Sequence, residues 1–165
     1  MFTLKSLVDD AALELRVLVA DSPGALEDPV VWVHNTELPD PSTYLRKGEL
    51  VLTNGLWADQ VTPAEFVANV RRAGAVGIVF GLRPDTLATP PGLIEACLAA
   101  GMPLLEISPA VPFTAISEWV AARYTEERQR ALVGQVRRGD ALAVAISRGA
   151  GASGVLRVLR DETDL

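Results

Sequence analysis

Apolar residues in this chain fall in short runs, and polar, proline-bearing or glycine-bearing punctuation separates them. Arg16 to Ala20, Val30 to Val33, Glu49 to Thr53, Val76 to Phe80 and Leu104 to Ile107 have the length and β-branched content of strands. Helical spacing fills the gaps. Thr3 caps a first short helix with Leu4, Leu7 and Val8 on one face. Thr62, Pro63 and Glu65 open a helix that buries Phe66, Val70 and Ala73 and stops at Gly74. Pro91 to Ala100 forms another, with Leu93, Ile94, Cys97 and Leu98 inward and Gly101 as its stop. From Pro112 one long helix follows, carrying Phe113, Ile116, Val120 and Tyr124 on one face. Strands alternating with helices of this kind predict an α/β domain: a mostly parallel sheet with helices on both faces, followed by a long C-terminal linker helix.

The stretch from Val30 to Gly55 holds most of the polar residues of interest. Val30 to Val33 reads as a strand buried on both faces, with Trp32 in the core. The chain turns polar at His34, Asn35, Thr36 and Glu37. Asp40 and Pro41 have the form of a helix start, and Gly48 would close a helix of about two turns. Glu49 to Thr53 is a second strand, with Glu49 placed to bond backbone at its start and Thr53, Asn54 and Gly55 as its polar exit. Two strands thus deliver hydroxyls, amides and a carboxylate to one edge, which suggests a pocket.

Composition narrows the classes. At 165 residues, 49% hydrophobic and 22% charged, the chain can bury one substantial core and leave a C-terminal remainder. No apolar run approaches the roughly 18 residues of a membrane span, and no signal pattern opens the chain, so a cytoplasmic protein without membrane attachment is expected. Cys97 stands alone, which excludes an internal disulfide, and it reads as a small core residue. Residues 1–122 hold 7 Lys/Arg against 15 Asp/Glu, whereas residues 123–165 hold 8 arginines against 6 acids. So acidic a main domain is a poor partner for nucleic acid by itself. Gly134 and Gly139 weaken the long helix and are placed to end it, and the remainder from Asp140 holds two short amphipathic segments around Gly149 to Gly154.

No nucleophile with an identifiable base stands out, and His34 is the only histidine, so neither an enzyme, a metal site nor a cofactor is expected. Ligands of open α/β sheets bind at the carboxyl ends of strands. This places His34, Asn35, Thr36, Glu37, Thr53, Asn54, Gly55, Phe80 and Gly81 around one candidate cleft for a small-molecule effector. Several polar residues of the stretch also have a plainer role: His34 as a structural hydrogen-bonder, Asp40 as a cap, Thr53 and Asn54 as turn residues. Glu37 is the least explained. Glu106 is either an edge residue or a pocket acid. Two readings stand: a small-molecule sensor, and a ligand-free oligomerisation module.

A family resemblance sharpens the first. Trp32 to His34, Thr36 to Pro41, and Leu45 to Thr53 with Gly55 are similar to the signature of the N-terminal domain of PucR-type transcriptional regulators, which control purine catabolism. Pro103 to Ile107, Val111 to Phe113 and the opening Thr3 to Leu7 resemble the same family, over about residues 1–125. The resemblance implies a sensor domain at 1–122, then at 123–165 a linker helix and the start of a truncated GAF-like middle segment. It implies control of purine or related nitrogen catabolism, with a purine degradation intermediate as a candidate effector. DNA would be bound only through a helix-turn-helix missing here. Leu132, Val133 and Val136 return at helical spacing beyond Tyr124, which points to a homodimer.

Overall fold

A computed structural model of the protein describes the backbone of residues 2–147 and the side chains of residues 2–139. The chain divides into two units, one ending at Ala121 and the next starting at Ala122. In the first, strands β1 (Leu15–Val19), β2 (Trp32–Asn35), β3 (Glu49–Thr53), β4 (Gly77–Gly81) and β5 (Leu104–Ile107) form one sheet in the order β1-β5-β4-β3-β2. β2 to β5 are parallel, and β1 lies antiparallel against β5, with Leu15 opposite Ile107. Helix α1 (Leu4–Asp9) precedes the sheet, with Thr3 and Ser6 capping one another. Helices α2 (Pro63–Arg72) and α3 (Pro91–Ala100) cross from β3 to β4 and from β4 to β5.

Because β2 to β5 step across the sheet in one direction, right-handed crossovers put α2 and α3 on the same face, where they pack on each other. Val51, Ile78, Phe80 and Leu104 meet Phe66, Val67, Val70, Leu93 and Cys97 there. Phe66 stacks on Trp57 at 4.1 Å between ring centroids. Burial pushes the Cys97 thiol up to about 12, so it stays protonated and inert. The alternate strand residues Leu50, Leu52, Val79, Leu105 and Ile107 are buried on the other face. This face is covered by Leu4 and Leu7 of α1 and by Ile116 and Val120, near the start of the long helix α4 (Phe113–Ser147). Helices therefore lie on both faces of a mostly parallel sheet. Trp119 fixes the start of α4 to the N-terminal segment: its indole N–H donates to Asp10 at 2.8 Å, and its ring meets Phe2 edge-on.

Four sequence expectations are corrected. The strand expected at Val30 to Val33 runs instead from Trp32 to Asn35 and forms an edge of the sheet, so Trp32 is 42% exposed rather than core. Val30 is buried, but its N–H donates to Phe2, outside the sheet. No helix forms between Pro41 and Gly48. Asp40 does accept from the Ser42 N–H, and bonds from Ser42, that of its hydroxyl foremost, hold its carboxyl below the usual range. Yet only one turn closes on the Pro41 carbonyl. The next amide needed, that of Arg46, goes to the Glu49 carboxylate, which stops the helical ladder. The left-handed φ of 87° at Gly48 then turns the chain into β3, as its glycine led one to expect. In α3, Leu93 and Cys97 are buried but Leu98, a step further round the helix, is 47% exposed. Finally, Gly134 and Gly139 do not end α4.

The second unit is described by itself as helix to Ser147. Arg123 pairs with Glu126 at 3.0 Å, and Leu132, Val133 and Val136 are exposed. Of the two amphipathic segments expected around Gly149 to Gly154, the part from Asp140 to Ser147 continues α4, and the rest lies outside the described residues. Among the described residues, no helix is long and apolar enough to cross a membrane.

Candidate functional site

The carboxyl ends of β2, β3 and β4 meet around one carboxylate. Glu37, two residues beyond β2, accepts from the Thr53 hydroxyl at 2.9 Å, the Asn54 N–H at 2.7 Å and the Leu56 N–H at 2.9 Å. The Thr53 hydroxyl oxygen in turn accepts from the Gly55 N–H at 3.2 Å and the Trp57 indole N–H at 3.0 Å. Asn54 extends the network to the third strand, its side-chain amide donating to the Gly81 carbonyl at 2.8 Å. A charged acceptor shared by several donors ties their loops more firmly than neutral pairs do. This explains why the least accounted-for carboxylate of the sequence stands where it does.

Of the nine candidate residues, Glu37, Thr53, Asn54, Gly55, Phe80 and Gly81 come together. Phe80 is buried beneath Gly55, whose φ of 80° and contact with that ring exclude a side chain: a methyl there would lie 2.8 Å from Phe80 Cε2. Thr36 is a buried neighbour, its N–H donating to Leu52 and its hydroxyl accepting from the Leu38 N–H. His34 lies farther back along β2, opposite Val51, with its Nδ1 3.9 Å from a Glu49 carboxylate oxygen. Asn35, the last residue of β2, is exposed. Sequence reasoning missed Trp57 and Leu56, which belong to a short 3-10 turn from Leu56 to Asp59. An indole following a polar strand exit was the only available signal for it.

Glu106 is neither an edge residue nor a free pocket acid. It sits between β1 and β4, where the Thr89 hydroxyl donates to it at 2.7 Å and Arg16 approaches to 3.8 Å, so it anchors the loop before α3. No group of His, Cys, Asp and Glu among the described residues could hold a metal ion.

The fold and site together define an α/β domain: a doubly covered, mostly parallel sheet with a bonded polar rim at its carboxyl edge. The sequence pattern of PucR, the Purine catabolism regulatory protein-like family, matches residues 6–124, and the chain belongs to that family. It is also 33% identical over 127 residues to the transcriptional activator PmfR of Paenarthrobacter nicotinovorans, a match covering 74% of this chain and 26% of that protein. The chain thus spans about a quarter of the length of this curated relative. No solved structure matches it.

Proposed function

We propose that this chain is the effector-sensing part of a cytoplasmic transcriptional regulator of purine or related nitrogen catabolism, with DNA bound by a segment outside it. The observation that supports this reading is the gathering of polar groups from three strand ends at one carboxyl edge, where small ligands of open α/β sheets bind. Glu37, Thr53 and Asn54 would contact the effector, with His34, Asn35, Thr36, Gly55, Phe80 and Gly81 shaping the rim. A thermal-shift series with urate, allantoin and hypoxanthine tests it. A ligand at a hundred times its dissociation constant stabilises the fold by about 2.7 kcal/mol, a readily measured rise in melting temperature. An unchanged transition with all three at millimolar concentration rejects the purine assignment.

A second reading, a ligand-free oligomerisation module, is favoured by a different observation. Glu37 already receives its donors from within the chain, while Leu132, Val133 and Val136 stand exposed on α4. In either reading we assign the second unit's stripe to a homodimer contact with the same helix of a second copy. Sedimentation of this chain beside a version ending at Arg123 is expected to give a dimer and a monomer. A dimer that survives the truncation removes the helix from the interface.

A further inference from the structure

Gly81 is the last residue of β4, and two groups press on the place where a side chain would stand. A methyl group there would lie 2.5 Å from Cζ of Phe113, the first residue of α4, and 2.6 Å from Nδ2 of Asn54. Real Cβ contacts are never so short, so the rim amide and the helix's first ring share one closely filled space. Asn54 is also the residue whose main-chain N–H is bound by Glu37 and whose side chain holds the Gly81 carbonyl. One unbroken series of contacts therefore runs from Glu37 through Asn54 and Gly81 to Phe113. We propose that Asn54, Gly81 and Phe113 form the joint by which a change at the strand-end rim shifts the start of the long helix. Asn54 acts as the positioning residue: its amide holds β4 and sets where the Phe113 ring can seat. In a close-packed interior a displaced group at such a point must move its neighbour rather than open a gap. The joint deepens the sensing role proposed above, since it names how occupation of that rim would reach the helix.

Amide hydrogen exchange on the full 165-residue chain tests it, with rates at residues 117–121 of α4 compared with those of α2. Asn54→Ala is expected to speed exchange at 117–121 about three- to tenfold relative to α2, the range expected from one lost hydrogen bond. Gly81→Ala, which forces both the Phe113 ring and the Asn54 amide aside, is expected to do the same. Thr62→Ala, which removes the cap of α2 on the opposite face, serves as the control and is expected to leave exchange at 117–121 at the rate of the unsubstituted chain while α2 itself speeds. If Gly81→Ala does not fold, the Asn54→Ala and Thr62→Ala pair still decides. An unchanged ratio in Asn54→Ala, or an equal rise in Thr62→Ala, overturns the joint. Because no ligand enters this experiment, a failed effector screen would reject the sensing role while leaving the joint standing.

Discussion

Replacing Glu37 by alanine is expected to lower the unfolding free energy by about 2–4 kcal/mol, the range for leaving several partly buried donors without an acceptor. The carboxylate binds the Thr53 hydroxyl and two main-chain N–H groups, and nothing in alanine can take their place. Glu37→Gln sharpens the test. Its amide retains one acceptor oxygen but turns two N–H donors toward a cluster made of donors, so it should recover only part of the loss. Urea unfolding at neutral pH measures both. A change below about 0.5 kcal/mol for the alanine variant, the usual scale of a surface substitution, would mean that the loops hold without the carboxylate.

The second large effect lies in the core. Phe66 is fully buried, stacked on Trp57, and seated among Val51, Ile78 and Leu93. Phe66→Ala is expected to cost about 3–5 kcal/mol, combining lost transfer energy with the cavity left behind. Phe66→Leu should cost less, since it refills part of that volume. The effect should also reach the rim, because the Trp57 indole that rests on Phe66 donates to Thr53. Loss of that donor's orientation is readable as a shift in tryptophan fluorescence at denaturant concentrations where the chain remains folded.

Sequence and structure agree where local chemistry sufficed. Thr62 with Pro63, Gly101 after Ala100, and the run Glu49 to Thr53 each carry their own stop or start signal, and each lies where those signals put it. The errors arose where a distant residue decided. Trp32 was assigned to the core because apolar runs resemble buried strands, but edge position is a property of sheet order, which no local window contains. The helix expected after Pro41 fails for a nearer reason: a Glu49 oxygen takes the Arg46 amide three residues before it, and that local bond competes with the helical ladder. The candidate site was half legible. Polarity at Glu37, Thr53 and Asn54 stood out in the sequence. That one carboxylate binds the others, and that Trp57 completes the network, depended on the loop geometry beyond β3.

The pairing of β1 with β5 also bears on how the molecule is made. Among the described residues, the first strand pairs only with the fifth, Leu15 set against Ile107, and Asp10 accepts from Trp119 of the long helix. During synthesis β1 must therefore wait for its strand partner until almost the whole unit has left the ribosome. Closure of so long a loop is the slow kind of folding event. Before that closure, β5 or β1 offers an open edge to neighbouring nascent chains. Fragments cut between α3 and β5 should therefore accumulate as aggregates rather than as smaller folded domains.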